Sequence, residues 1–180
     1  MNMEEKRIDG QLIYDGTIVH LYKDDVCLPD GKRAIREVIR HQGAVCVVAV
    51  DSAYNIYLVK QFRYPFLAVT TEIPAGKLDK GEKPLEGAMR ELREETGIIA
   101  DNYRYLGALY TSPAIIDEVI HMYLATGLKF EKQELDEDEF VDVVKMSMND
   151  CVKHILEGNI PDAKTQTAVL KAKMVISEIC

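Results

Sequence analysis

Apolar residues along this chain fall into short runs with two different periods, and the switches between periods predict its elements. From Ala44 to Val50 the sequence reads AVCVVAV, an unbroken apolar run of strand length, as a buried strand produces. A polar turn over Asp51–Asn55 follows, and IYLVKQF returns as a second strand. Further strand-like runs are Val69–Ile73, Tyr103–Tyr110, Val119–Ala125 and Phe140–Met146. Nearer the start, Ile18–Leu21 and Ala34–Arg40 flank Leu28-Pro29-Asp30-Gly31-Lys32, whose Pro-Asp-Gly is a strong turn signal. Helical spacing marks Leu85, Ala88, Met89 and Leu92 as an apolar stripe behind Pro84, a residue suited to the first turn, with Gly97 as the C-cap. Two more helices are predicted near Asn149–Leu156 and Asp162–Ile179. The pattern gives an α/β chain, an α+β sandwich of a mixed β-sheet flanked by helices. Residues 1–40 are expected to form an N-terminal β arm and residues 41–180 the main domain.

Composition narrows the function classes. Acidic residues outnumber basic ones 30 to 22, for a formal charge of −8, which argues against a nucleic-acid backbone as partner. No apolar run approaches the ~20 residues of a membrane span, and MNMEEKRIDG has no apolar core of a signal peptide. The four cysteines (Cys27, Cys46, Cys151, Cys180) are scattered, with no C-x-x-C, which suits a reducing cytoplasm. A small-molecule substrate is expected, with neither nucleic acid nor membrane as partner.

Chemistry concentrates between Gly76 and Ile98. Glu91, Glu94 and Glu95 share one helix face, where like charges repel unless a cation sits among them. Hard divalent cations choose such oxygens and keep waters and substrate phosphates as further ligands. A solvated acidic face is the competing reading. The apolar stripe is expected to anchor one side of the helix, with the carboxylates a quarter to a third of a turn away, facing a cleft. Arg90 has two acidic partners in reach, Glu94 at i,i+4 or Glu82 in the preceding loop. Gly87 leaves room for a hydrated metal, or allows tight packing.

This segment resembles the Nudix box, G-x5-E-x7-R-E-U-x-E-E-x-G-U (U being aliphatic), at Gly76, Glu82, Arg90, Glu91, Leu92, Glu94, Glu95, Gly97 and Ile98. Outside the box the chain is similar to the ADP-ribose pyrophosphatase branch of that family. Pro113 stands sixteen residues after Gly97, as that branch's proline does, although Ala114 replaces the usual glycine of its S-P-G loop. Gln61-Phe62-Arg63, Glu72 to Leu78, Arg36-Glu37, the acidic loop Leu135 to Phe140 and Asp162-Ala163-Lys164-Thr165 are also similar.

The resemblance implies a Nudix fold and hydrolysis of ADP-ribose to AMP and ribose 5-phosphate with Mg²⁺, or Mn²⁺ in its place. It implies metal ligation by Glu91, Glu95, Glu94 and the Ala75 carbonyl, with Glu82 fixing the loop through Arg90. Arg36 and Arg63 resemble the diphosphate-contacting arginines, with an ordinary surface ion pair as the other reading, and Glu72 and Pro113 join the substrate contacts. The general base is expected in the acidic loop, at Glu137 first and Glu139 second. Tyr14, Tyr22 and Phe62 are candidates for stacking the adenine. A homodimer with exchanged N-terminal strands is the expected assembly. Another nucleoside diphosphate substrate such as GDP-mannose, or a non-catalytic ADP-ribose-sensing module, are the rival functions.

Overall fold

The computed structural model describes residues 2–135 and 139–177. They form two compact units, one built from residues up to 43 together with 110–119, the other from 44–109 and residues from 120 onward. In chain order the elements are β1 (Lys6–Asp15), β2 (His20–Cys27), β3 (Arg33–Arg40), β4 (Ala44–Val50), β5 (Asn55–Arg63), a 3₁₀ turn (Tyr64–Phe66), β6 (Ala68–Glu72), β7 (Ala75–Lys77), α1 (Pro84–Thr96), β8 (Ile98–Tyr110), β9 (Val119–Phe130), β10 (Asp142–Ser147), α2 (Met148–Leu156) and α3 (Ala163–Ser177). Among the described residues, no helix is long and apolar enough to cross a membrane.

The larger unit is a mixed sheet ordered β10-β5-β4-β9-β8. Its centre is β4, buried along its whole length as the apolar run predicts. One edge of β4 runs parallel to β9 from Ala44 to Ala49. The other edge is shared. Ala49 and Val50 pair with β5, whereas Ala44, Val45 and Cys46 pair with β7. Between these partners the Val47 N–H donates to the Pro74 carbonyl at 2.9 Å, so the β6–β7 connection is tied to the sheet where β5 leaves it. Alternation sorts the strand's two faces. Cys46, Val48 and Val50 pack with Cys151 and Ile155 of α2 and Ala168, Val169 and Ala172 of α3. Val45, Val47 and Ala49 pack with Ala88 and Leu92 of α1. The sandwich is therefore α1, sheet, then α2 with α3.

In the smaller unit β1, β2 and β3 form an antiparallel sheet in that order. Among its strand residues only Asp24 and Val26 are buried, and β1 exposes Ile8, Leu12, Ile13 and Tyr14. Asp24 lies against Arg7 and Arg40, each at 3.1 Å, and Arg40 also reaches Asp117 at 3.1 Å.

The departures from expectation have local causes. Strand β1 has no simple apolar alternation because its register against β2 slips between Arg7 and Asp9 and again between Leu12 and Tyr14. Strand β7, Ala-Gly-Lys, is too short to carry a pattern. Strand β8 begins at Ile98 rather than Tyr103, directly after Gly97, because Ile98 and Ala100 are buried beside α1.

Candidate active site

Helix α1 starts on Pro84 and ends on Gly97, which takes φ 68° and donates its N–H to the Arg93 carbonyl. Its buried face is not the expected one. Ala88 and Leu92 are buried, but Leu85 and Met89 are exposed, and Glu91 and Glu95 lie on the buried face beside Leu92. The reason is β7, which carries Gly76 up to the carboxylates. A Cβ on Gly76 would fall 2.0 Å from the Glu91 carboxyl carbon, so the glycine that opens the motif is there to let Glu91 lie against backbone. Gly87 is settled in favour of packing, since a Cβ there would meet Leu78 at 2.8 Å and Glu82 at 2.9 Å.

Arg90 takes both partners the sequence offered it, and more. Its Nε and Nη2 donate to the two oxygens of Glu82 at 2.9 Å each, and Nη1 donates to Glu91 at 2.7 Å and Glu94 at 2.9 Å. Nη2 also reaches the Lys77 carbonyl at 3.0 Å. A planar guanidinium with five donors suits this task, which an ammonium could not perform. The Glu82 fork, with Glu91 and Glu94 beside it, holds Arg90 well above the usual guanidinium range. Glu82 is held below the usual carboxylate range, first by Arg90.

Glu95 is the most strongly displaced acid of the helix. It is 4% exposed and accepts the Ala75 N–H at 2.9 Å. Burial first, and then the neighbouring charges of Glu91 and Glu139, push its carboxyl up to about 8. Glu91 is raised too, chiefly by burial, against the pull of Arg90. Glu139 is exposed and its charge reaches both carboxylates, which places it within electrostatic range of the cluster. Glu137 lies outside the described residues.

A second cluster forms around Glu72, at the end of β6. Arg63 grips it with both arms, Nε to Oε1 at 2.8 Å and Nη2 to Oε2 at 2.7 Å. Thr70 donates to Oε1 at 2.6 Å and Lys164 donates to Oε2. Burial alone would raise Glu72, yet Arg63 and Lys164 hold it down to about 2. In the sequence Arg63 and Glu72 stand apart, and nothing there joins Lys164 to them. A residue 92 positions from Glu72 carries no local signal of that contact.

In the smaller unit, Arg36 forks onto Glu5, with Nε to Oε2 at 2.9 Å and Nη2 to Oε1 at 2.5 Å. Pro113 lines a cavity of about 420 Å³ together with Val38, Arg40, Tyr110 and Ile116. Ala114 sits in a turn closed by Ile115 and Ile116 N–H bonds to the Ser112 carbonyl, and its φ is not positive. The turn therefore does not require the glycine that Ala114 replaces. Of the aromatic candidates, Tyr14 and Phe62 are exposed and Tyr22 lies under the Arg40 guanidinium at 6.0 Å.

Among the described residues no three His, Cys, Asp or Glu side chains close on a common point as a finished metal cage, since Arg90 draws Glu91 and Glu94 toward itself. The donor chemistry nevertheless fits a hard divalent cation. Glu91 and Glu95 are buried oxygen donors, the ligand type such a cation selects, and burial, the first cause of their raised proton affinity, disfavours their charge in the absence of a cation. The NUDIX domain model matches residues 40–166, a span that contains this whole arrangement. The chain belongs to the Nudix family. It is 46% identical to an ADP-ribose pyrophosphatase of Bacillus subtilis (strain 168), over 93% of this chain and 92% of that one. It is 45% identical to a methanol dehydrogenase activator of Bacillus methanolicus, over 92% of this chain and 91% of the other. The fold is similar to that in a crystal structure of an ADP compounds hydrolase, with a TM-score of 0.86 at 20% identity, covering 99% of this chain and 97% of that one.

Proposed function

We propose that this Nudix hydrolase cleaves the pyrophosphate bond of ADP-ribose, and of related nucleoside diphosphate sugars, giving AMP and ribose 5-phosphate from ADP-ribose. The observation that carries the reaction class is the pair of buried carboxylates, Glu91 and Glu95, set against the backbone of Gly76 and Ala75. The substrate follows from the 46% identity to the Bacillus subtilis relative along nearly the whole chain.

Glu91, Glu95, Glu94 and the Ala75 carbonyl would hold a divalent cation, Mg²⁺ in this reading, with Mn²⁺ as a substitute. When bound, that cation neutralises diphosphate charge and makes phosphorus more open to attack. Arg90 keeps the glutamates in register and stops them from repelling each other apart. Arg63 presents a guanidinium, already oriented by Glu72, to phosphate oxygens. Glu137 or Glu139 takes a proton from the attacking water, which enters in line with the departing phosphate oxygen. Arg36 and Pro113 are further substrate contacts, and a phosphate on Arg36 would displace Glu5.

A homodimer joined through the N-terminal arm is part of the same reading. It is supported by the exposed Ile8, Leu12, Ile13 and Tyr14 of β1, an apolar set with little core of its own. Light scattering at micromolar concentration should give twice the chain mass, and a fully active monomer would count against exchange. We assign the protein to the cytoplasm, where its free Cys27, Cys46 and Cys151 would stay reduced. The substrate test is AMP release in Mg²⁺ from ADP-ribose, run beside GDP-mannose, NADH and diadenosine polyphosphates. ADP-ribose should be cleaved fastest. Faster cleavage of GDP-mannose would move the specificity, and tight binding without cleavage would favour a sensor.

A further inference from the structure

The segment Asp162-Ala163-Lys164-Thr165 has no part in the reaction as described, yet its side chains bond to Glu72 and to the Ile73 backbone. Asp162 caps α3, accepting the Thr165 N–H at 2.9 Å and the Thr165 hydroxyl at 2.5 Å on the same oxygen. Having donated to Asp162, the Thr165 hydroxyl accepts the Ile73 N–H at 2.9 Å, and Thr165 is fully buried. Lys164 bridges the other oxygen of Asp162, at 3.0 Å, to Glu72. The strip from Glu72 to Ala75 is thus held at each residue. Glu72 is gripped by Lys164 and Arg63, Ile73 by Thr165, the Pro74 carbonyl by Val47, and the Ala75 N–H by Glu95. Ile73 lies two residues from the backbone carbonyl that the proposed metal site uses.

We infer that the N-terminal turn of α3, through the Thr165 hydroxyl, is a positioning clamp that sets the Ala75 backbone against Glu95 and so sets the affinity of the site for its divalent cation. Thr165 acts through the strip and touches no substrate. Ordinary packing would need only the volume of Thr165. The clamp needs its oxygen, which among the described residues is the acceptor for the Ile73 N–H and at the same time a donor to the helix cap. Ladder pairing holds the two ends of the strip, Glu72 against Val59 and Ala75 against Cys46, so Ile73 and Pro74 between them depend on the Thr165 and Val47 bonds, and losing the Thr165 tie shifts this connection rather than unfolding the domain.

This inference rests on the metal-site reading above, and its test keeps the two apart. Mn²⁺ binding to the substrate-free protein is measured by electron paramagnetic resonance for wild type, Thr165→Val, Thr165→Ser and Glu95→Gln, with thermal melting alongside. The clamp predicts that Thr165→Val, which keeps the volume and loses the oxygen, binds Mn²⁺ about tenfold more weakly, the low end for a partner behind the ligands. Thr165→Ser should return to within about twofold of wild type, even though it melts lower for want of a buried methyl group. Wild-type affinity in Thr165→Val with only a lower melting temperature would overturn the clamp, as would equal weakening in Thr165→Val and Thr165→Ser. If Thr165→Val does not fold, Thr165→Ala leaves the same Ile73 N–H unpaired and carries the same comparison with serine. Unchanged Mn²⁺ binding in Glu95→Gln would instead contradict the metal site itself.

Discussion

Replacing Glu95 by glutamine should remove the chemistry and yet strengthen the metal-free fold at high pH. The side chain is 4% exposed, and its carboxyl is pushed from 4.5 up to about 8, first by burial and then by Glu91 and Glu139. In the unfolded chain the same carboxyl ionises at its ordinary value. Between about pH 4.5 and 8 the native state therefore holds a proton that the unfolded state has released, and stability falls as pH rises. Below that window no penalty exists, and above it the penalty is complete at up to ~5 kcal/mol, a large share of a typical domain's stability. Glutamine offers an oxygen to the Ala75 N–H and carries no charge. Urea unfolding in EDTA at pH 5, 6, 7 and 8 should show wild type losing several kcal/mol across the range. Glu95→Gln should lie within about 1 kcal/mol of wild type at pH 5, keep only the smaller slope due to Glu91, and be clearly the more stable protein at pH 8. Saturating Mg²⁺ should restore wild type and leave the variant unmoved. Parallel curves for the two proteins in EDTA would show that Glu95 carries no such penalty.

Other perturbations probe neighbouring parts of the same site. Gly76→Ala places a methyl group into the Glu91 carboxylate and should lower kcat/KM by about 100-fold while the circular dichroism spectrum is preserved. Arg90→Met leaves Glu82, Glu91 and Glu94 without their common cation, and should destabilise the protein by about 2 kcal/mol in urea titrations, a figure kept modest by the arginine's partial exposure. Arg63→Ala should raise KM for ADP-ribose about tenfold, with a smaller effect on kcat, if its guanidinium meets the diphosphate.

What the sequence revealed and what it hid follow from where each signal is stored. The course of β4 could be read from AVCVVAV because a strand buried on both faces has no polar residue to interrupt it. The limits of α1 were stored locally, in Pro84 and Gly97, and so was the motif from Gly76 to Ile98. Its orientation was not. Leu85 and Met89 look like core on a helical wheel, and only the arrival of β7 shows that Glu91 and Glu95 occupy the buried face in their place. Strand β1 was hidden by two register slips, and the Thr165 and Lys164 contacts by the length of chain separating them from Ile73 and Glu72. Arg90 was a halfway case, since both of its expected partners were right but the sequence posed them as alternatives.

The most direct test of the account is the Mg²⁺ dependence of AMP release from ADP-ribose by wild type and Glu95→Gln. Cleavage by wild type should saturate with Mg²⁺ and disappear in EDTA, and the variant should show almost none at limiting Mg²⁺ although it remains folded. A Glu95→Gln protein that turns over ADP-ribose at the wild-type rate in limiting Mg²⁺ would contradict it.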